Sequence, residues 1–315
     1  MDIRKDFFQI IWVSVISKPV NSSIAGGYAM GHEDGEHVIE AIGKCRIVIR
    51  NGVVVEVGEP FIKDCPLAKR FAYPIPAITK DAVKANIEHR IKSFGMCTAR
   101  REVTDTREFV GFGASELLSF GVHAGLLDAV VLACDGAGTV IATTPDLVQG
   151  IGGRMSGLVS TSPIPAVIDR IEHHGGIVLD RTTAQIDQPA GVDLALAKKF
   201  KTIAVTVADP DNAERIRLSH PDIFIVSVHV TGLSRDEAQR LVAVSDLVTA
   251  CASKHIREIA GRTALVQAGT AIPVFAMTPK GKQLIVEKLA QSPEPFLVKT
   301  TRLPVGGDAQ PFPLV

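Results

Sequence analysis

The sequence predicts an α/β fold: a mostly parallel, doubly wound sheet preceded by a small β-hairpin and helix region. Three observations lead to this prediction. Short β-branched runs alternate with longer stretches that carry helix signals, two β-type runs flank an Asn-Gly pair near the start, and hydrophobic residues make up 46% of the chain against 22% charged residues. Alternating strands and helices are typical of parallel sheets covered on both faces, and this composition is sufficient for a large core.

Changes in composition along the chain predict four parts. They are an N-terminal extension over residues 1–34, a small cysteine-containing α+β region over 35–110, a parallel α/β domain over 111–292 and a C-terminal tail over 293–315. The extension resembles a secretory signal in outline, but Asp2 and Asp6 lie where a signal is basic. We therefore expect an extension that is poorly ordered or locally docked, and Met30 is an alternative start to Met1.

The small region begins with the hairpin. Residues 45–50 and 53–57 are β-type runs, and Asn51 and Gly52 between them suit a type I′ turn, in which both central residues have positive φ. A helix is predicted over residues 79–94. Its signals are an N-cap and an apolar stripe, formed by Thr79, Val83, Ile87, Ile91 and Phe94.

The second region alternates strands with helices. The predicted strands are residues 128–134, 176–179, 202–207, 222–228, 246–251 and 272–276, and the predicted helices are residues 163–174, 187–199, 209–218, 234–244 and 279–290. Ligands of open parallel sheets bind outside the carboxyl ends of the strands. This rule and a Gly-rich segment over 150–157 give the ligand-binding candidates Asp135, Gly136, Gly138, Gly152, Gly153, Arg154, His229, Thr278 and Lys280.

These candidates also have structural interpretations. The Gly-rich segment matches neither the phosphate-loop nor the dinucleotide pattern, so it either binds an anion through backbone N–H groups and Arg154 or forms a tight connection at a helix end. Lys280 either meets a phosphate or is a solvated first-turn lysine. His229 is a ligand or an ordinary strand-end residue.

The five cysteines are too few for a disulfide-dense module, and an odd number cannot pair completely within one chain. Cys45, Cys65 and Cys97 could converge on an iron–sulfur cluster or another soft metal, with Cys134 as a fourth ligand. Their spacing matches no short metal ribbon. Separate structural cysteines and a redox pair are therefore the alternatives.

Cys251 is a candidate nucleophile. It precedes a predicted helix start, where the helix N-terminus and Lys254 would favour the thiolate, and His255 could act as the base. The alternative is a small buried hydrophobe, which is the commonest role of a free cysteine.

Charge and composition exclude several classes of partner. Lys plus Arg and Asp plus Glu both number 34, aromatic residues make up 5%, and no apolar run approaches the roughly 20 residues of a membrane span. We therefore expect a soluble protein that binds neither nucleic acid nor membranes. A small anionic ligand is the expected partner, and self-association into a homo-oligomer is left open.

Several long runs resemble an archaeal family, methanogenesis marker protein 8. They include CRIVIRNGVVVEVGEPFIKDCPL, IKSFGMCT, VGFGASELL, DAVVLACDGAGTVIATTPDLVQGIGGRMSGLVSTSPIP and SDLVTACASKHIRE, and the resemblance covers residues 37–289. The family brings no established catalytic residues to this chain. The resemblance implies a cytosolic protein of methanogenic archaea, in a reducing cell with abundant iron–sulfur and nickel chemistry.

Three functional hypotheses follow, and whether the protein is an enzyme stays open. The first is an accessory protein of methanogenic metabolism that binds a metal or iron–sulfur cluster through the four cysteines, linked to methyl-coenzyme M reductase maturation or cofactor handling. Its partner would be a methanogenesis-related protein. The second is a small-molecule enzyme with Cys251 as nucleophile and an anion held by Gly152, Gly153 and Arg154. The third is a non-catalytic ligand-binding scaffold.

Overall fold

Two β-sheets form the framework of the described chain, one of four strands and one of eight. The structure is a computed structural model, and it describes residues 35–154 and 157–315. The predictions for the N-terminal extension and for Met30 as a start lie outside the described residues. The same is true of Met155 and Ser156 in the Gly-rich segment.

The strands and helices follow in chain order. They are β1 (Glu36–Ala41), β2 (Cys45–Arg50), β3 (Val53–Val57), α1 (Lys80–Phe94), α2 (Ala114–His123), β4 (Ala129–Cys134), β5 (Gly138–Ala142), α3 (Pro145–Gly152), β6 (Gly157–Thr161), α4 (Pro165–His173), β7 (Ile177–Val178), α5 (Gln188–Ala197), β8 (Ile203–Val207), α6 (Pro210–Ser219), β9 (Phe224–Ser227), α7 (Arg235–Val244), β10 (Leu247–Thr249), α8 (Lys254–Thr263), β11 (Val266–Ala268), β12 (Val274–Ala276) and α9 (Pro279–Gln291).

The smaller sheet has the strand order β3-β2-β1-β6, and all its pairings are antiparallel. Strands β2 and β3 form the predicted hairpin, with Asn51 at φ 50° and Gly52 at φ 72° in the turn. Strand β6 comes from the end of the Gly-rich segment, more than a hundred residues along the chain from its neighbour β1. The small sheet therefore contains a strand from the predicted second region.

The larger sheet has the order β11-β12-β10-β9-β8-β4-β5-β7 and is mixed. Only its centre, β10-β9-β8-β4, is parallel, and strands at both sides pair antiparallel. The prediction of a mostly parallel sheet therefore describes the four central strands and not the strands at the two sides. For β5 the reason is local, because Gly136 and Gly138, both at positive φ, turn the chain directly into this strand where the sequence predicted a ligand loop.

Helices cover both faces of this sheet. Val130 and Leu132 of β4 pack into one core, with Leu117 of α2 among its members. Ala129 and Val131 point the other way into a second core that α5 to α8 complete. Successive strand residues face opposite sides, so this alternation places apolar side chains on both faces.

Helix α1 packs on the smaller sheet. Its predicted stripe is buried in a third core, where Val83 and Ile87 lie with Ile47 and Ile49 of the hairpin. The hydroxyl of Thr79 accepts the Ala82 N–H at 3.2 Å and caps the helix, as predicted. Each fully buried aliphatic side chain of this kind contributes about 1.5–3 kcal/mol to folding.

The small sheet lies against the carboxyl end of the larger one. The Gly136 N–H, just after β4, donates to Thr161 Oγ1 of β6 at 2.8 Å. Lys44 Nζ donates to the carbonyl of Thr231, in the loop after β9, at 2.7 Å. The ends of the parallel strands are therefore enclosed by protein, and this contact positions the site. Among the described helices, none combines the length and the apolar character that a membrane crossing requires.

Candidate functional site

A fully buried ion pair lies at the carboxyl end of β4. Asp135 and Arg101 are both 0% exposed, and Arg101 Nε donates to Asp135 Oδ1 at 2.9 Å. The second carboxylate oxygen accepts the Cys97 N–H at 2.6 Å. Cys97 holds φ at 57°, a left-handed conformation that is uncommon outside glycine. The turn after α1 thus directs a backbone N–H group toward the Asp135 carboxylate.

Three guanidinium groups surround the ring of Phe94, at the end of α1. The Cζ atoms of Arg90, Arg101 and Arg154 lie 5.7, 5.2 and 5.0 Å from the ring centroid. We call Arg90, Arg101, Arg154 and Phe94 the arginine cluster. Cation–π contacts of this kind are favourable, but they place three positive charges around one ring.

Arg154 is held by carboxylates on its outer side. It is 7% exposed, its Nη2 and Nε donate to Asp105 Oδ2 at 2.7 and 3.1 Å, and its Nη1 donates to Glu102 Oε2 at 2.9 Å. Arg90 in turn donates to the Arg154 carbonyl. The predicted anion ligand Arg154 therefore lies in a charged cluster that joins α1 to the end of α3.

One donor of this cluster is left without an acceptor. Arg101 Nη1 donates to the Glu102 carbonyl and to the Gly150 carbonyl, the latter at 3.3 Å. Its Nη2 is buried and has no hydrogen-bond partner among the residues that the structure describes. An unsatisfied buried donor costs about 1–3 kcal/mol, so Nη2 marks a place where an acceptor oxygen would be stabilising.

The charges of the cluster shift the pKa values of its members. Burial opposes the ionisation of Asp135, but the Arg101 charge and the Cys97 N–H outweigh it and lower the pKa of Asp135. Burial and the neighbouring Arg101 lower the pKa of Arg90 to about 10. Burial is the larger cause, and the part due to Arg101 is a charge effect that a bound anion would relieve.

A buried histidine lies beside Asp135. His37 of β1 is 2% exposed, and its Nδ1 lies 2.6 Å from Thr161 Oγ1, its cross-strand partner. Burial lowers the pKa of His37, and the Asp135 charge opposes this only in part. The ring is therefore neutral at neutral pH, and it links the Thr161 hydroxyl to the buried centre.

We predict that the two buried aspartates, Asp105 and Asp135, make the free energy of unfolding decrease at acidic pH. Burial opposes ionisation of Asp105, but its bonds from Arg107 and Arg154 prevail and lower its pKa, as is also the case for Asp135. Their contribution is fully present above the ordinary aspartate pKa of 3.8 and is lost as pH falls below it. Urea unfolding should therefore show a lower free energy of unfolding at about pH 3 than at about pH 7. An Asp105→Asn variant should show a shallower decline, and an equal decline would contradict the assignment.

The predicted glycines serve close packing. Gly136 and Gly138 form the β4–β5 turn at φ 81° and 68°. Gly152 ends α3 and Gly153 caps it, where a Cβ on Gly153 would lie 2.8 Å from the Gln149 carbonyl oxygen. Gly136 and Gly138 thus shape a turn, and Gly152 and Gly153 form a helix end, which is the structural alternative given for the Gly-rich segment.

The other three ligand candidates, His229, Thr278 and Lys280, lie outside the arginine cluster. His229 follows β9 at φ 56° and reaches solvent, and the surrounding protein still lowers its pKa by desolvation. Thr278 caps α9 and donates to Asp246 Oδ1 at 2.6 Å. Lys280 Nζ lies 3.4 Å from Asp222 Oδ1 in an exposed pair. The last two therefore have structural partners.

The four cysteines predicted as metal ligands do not form one ligand set. Over residues 35–154 and 157–315, no group of three or more His, Cys, Asp or Glu side chains could hold a metal ion. Cys45 is buried in β2 and donates to the Gly58 carbonyl at 3.0 Å. Burial and Asp135 raise the pKa of Cys134 to about 12 and raise that of Cys97 as well. The four thiols are therefore not assembled as one ligand set in the described part of the chain, and we derive no step through a cluster.

The surroundings of Cys251 differ from the predicted ones. Burial raises the pKa of its thiol, and the nearby Cys65 raises it further, whereas a helix N-terminus was expected to lower it. At the start of α8, the Lys254 N–H donates to Val315 O at 2.8 Å and the Ile256 N–H donates to Ser253 Oγ at 3.3 Å. His255 Nδ1 lies 3.9 Å from Glu258 Oε2, on its own helix.

The chain matches the model of one protein family over residues 37–290, described as "Uncharacterized protein conserved in archaea (DUF2099)". The chain belongs to this archaeal family. It is also 45% identical over 282 residues to "Uncharacterized protein MJ0054" of Methanocaldococcus jannaschii, covering 89% of this chain and 99% of that relative. No solved structure matches the chain. The family region contains the whole arginine cluster.

Sequence reasoning missed several residues of the site, namely His37, Arg90, Arg101 and Asp105. Arg101 and Asp105 belong to a stretch rich in charged residues, which is typical of a solvated linker. Nothing in that pattern distinguishes a buried arginine from an exposed one. The available signal was the combination of Cys97 and Arg101 just after a predicted helix end with Asp135 after a predicted strand.

Proposed function

We propose that the protein binds a small anionic ligand at the arginine cluster, as an accessory protein of methanogenic metabolism. The metabolic context rests on the resemblance of its long sequence runs to methanogenesis marker protein 8. The predicted link to methyl-coenzyme M reductase maturation or cofactor handling belongs to the same proposal and has the same support. The proposed binding of an anion rests on the geometry of the arginine cluster.

The single observation that carries the proposal is the buried Arg101 Nη2 without an acceptor. Nε and Nη1 of the same group are paired, so the guanidinium is fixed and its remaining donor points to one place. A guanidinium presents donors in a planar fork that suits carboxylate, phosphate or sulfonate oxygens. A ligand oxygen at this place would remove the cost of the orphaned donor.

The surrounding charge supports the same ligand class. Asp135 neutralises Arg101, and Asp105 neutralises Arg154. Arg90 is the third guanidinium around the Phe94 ring, and burial and the neighbouring Arg101 lower its pKa. Arg90 and Phe94 are half-buried, so the cluster reaches solvent on their side. A small anion can therefore approach past these two side chains.

We expect inorganic phosphate to raise the melting temperature of the protein above its value in chloride at equal ionic strength. A ligand at one hundred times its Kd stabilises by about 2.7 kcal/mol. The increase should be lost in Arg101→Lys, which keeps the charge but lacks Nη2, and in Arg90→Gln, which tests the cluster if the first variant does not fold. Thermal unfolding at increasing phosphate concentrations measures this increase in melting temperature.

The matched control is Arg215→Gln, since Arg215 is an exposed arginine of α6 and takes no part in the cluster. Phosphate also stabilises proteins without binding them, by exclusion from their surface. The decisive quantity is thus the difference between wild type and variant. Equal responses of wild type, Arg90→Gln and Arg101→Lys would refute the proposed site.

A further inference from the structure

Two cysteines that are remote in sequence are brought together by the C-terminal tail. Phe312 pairs with Asp64, next to Cys65, and its N–H donates to the Asp64 carbonyl at 2.9 Å. Three residues later, the Val315 N–H donates at 2.9 Å to the carbonyl of Ala252, next to Cys251. The tail therefore ties the loop of Cys65 to the loop that follows β10.

The two thiols share one electrostatic environment. Ala252 is buried in the core against which Cys65 packs, and both cysteines are half-buried. They are near enough that a charge on Cys65 raises the pKa of Cys251, and Arg257 of α8 is near enough to both thiols to favour their charged forms. Arg257 also donates to the Cys251 carbonyl at 2.7 Å through Nη2. The other three cysteines are buried.

Cys65 is the better nucleophile of the pair. The backbone N–H groups of Leu67 and Ala68 donate to its sulfur, and such bonds favour the thiolate, although burial still raises the pKa of Cys65. These two amides lie in the turn that follows Pro66. Cys251 has Thr249 as its side-chain partner instead.

Arg257, which donates to the Cys251 carbonyl, also lines a basic groove. It has a volume of about 1070 Å³ and lies between α8 and the tail. Four basic side chains and one carboxylate line it, Lys254, Arg257, Arg262, Arg302 and Glu258. Glu258 pairs with Arg235, outside the groove. Lys254, Arg262 and Arg302 are exposed and have no carboxylate partner among the described residues. The groove is therefore positive, and Arg257 connects it to the thiols.

We propose that Cys65 and Cys251 form a redox-active dithiol that reduces small anionic disulfides approaching along this groove. The Cys65 thiolate, its proton released to water, attacks one sulfur of the disulfide R–S–S–R and expels one RS⁻. The Cys251 thiolate then attacks the Cys65 sulfur and expels the second RS⁻. The products are a Cys65–Cys251 disulfide and two thiols, so the protein loses two electrons and the substrate gains them. This activity is separate from anion binding at the arginine cluster.

The test exposes the reduced full-length protein to oxidised glutathione, an anionic disulfide, under exclusion of air. Peptide mapping by mass spectrometry should find one disulfide, joining Cys65 to Cys251, while Cys45, Cys97 and Cys134 stay reduced. Cys251→Ser should accumulate a glutathione adduct on Cys65. Cys65→Ser should leave Cys251 reduced over the same time, because the attacking thiol is absent.

The groove is tested by the charge of the probe. Oxidised glutathione should react about tenfold faster than cystamine, a cationic disulfide of the same chemistry, because a positive groove concentrates anions. The double variant Arg262→Gln with Arg302→Gln should reduce this ratio, and Arg215→Gln should keep it. Absence of a Cys65–Cys251 bond, or no adduct on Cys65 in Cys251→Ser, overturns the dithiol. Equal rates for the two probes overturn the anionic substrate.

Discussion

Replacing Asp135 with asparagine is expected to lower the free energy of unfolding by about 3–5 kcal/mol, because it removes one partner of a fully buried ion pair. The uncharged amide would leave the Arg101 guanidinium buried without a countercharge, and both residues are 0% exposed. It would also offer an N–H₂ group where the carboxylate accepts bonds from Arg101 and Cys97. Urea unfolding with an unchanged slope measures this loss.

The matched control is Asp169→Asn on the surface. Asp169 pairs with Arg181 at 2.6 Å, but the two side chains are 66% and 49% exposed. Exposed pairs of this kind contribute little, so the control should be hard to separate from wild type. If Asp135→Asn behaved like this control, the buried pair would not be formed in solution.

Replacing Gly138 with alanine is expected to cost about 3 kcal/mol or more. Gly138 has φ at 68°, and left-handed backbone costs a residue with a Cβ about 1–2 kcal/mol. The Cβ would also lie 2.1 Å from the Ala184 carbonyl oxygen and 2.4 Å from that of Gln185. Both are backbone atoms and cannot rotate away, so the β4–β5 turn must shift.

Gly125→Ala separates the two causes. Gly125 has φ at 70°, nearly the same as Gly138, but no atom of the described chain lies within 4 Å of the position its Cβ would take. This variant should therefore lose only the conformational part, about 1 kcal/mol. Equal losses of unfolding free energy in the two variants would show that the contact between the β4–β5 turn and residues 184–185 is not tight.

Local signals predicted local structure well. The Asn51-Gly52 hairpin and the Thr79 cap are both present. Each depends on groups only a few residues apart, whose backbone preferences and hydrogen bonds are set by the residues themselves. The central parallel strands were also predicted, because their apolar runs are continuous and separated by helices.

Pairing between distant segments was not predictable in the same way. Strand β6 joins β1 across more than a hundred residues, and β5 returns beside β4 after a turn that resembled a ligand loop. Short strands such as β11 (Val266–Ala268) carry too few residues for a period to be recognised. Their antiparallel pairings made the sheet mixed.

For the candidate sites, too, local signals were predictable and the contacts between distant segments were not. The sequence pointed to Arg154 and Asp135, and to Cys65 and Cys251 as separate candidates. It could not show that Arg101 is buried, nor that the tail places Cys65 beside Cys251. Both facts depend on which segments pack together.

The sequence by itself determined an α/β protein of an archaeal family, with its hairpin, caps and central strands. Only the tertiary structure decided which charged groups are buried away from water. It therefore also decided that the arginine cluster and the thiol pair form. The physical reason is that turns and caps depend on neighbours along the chain. Desolvation of a charge depends on every segment that folds over it, and no spacing in the sequence encodes that directly.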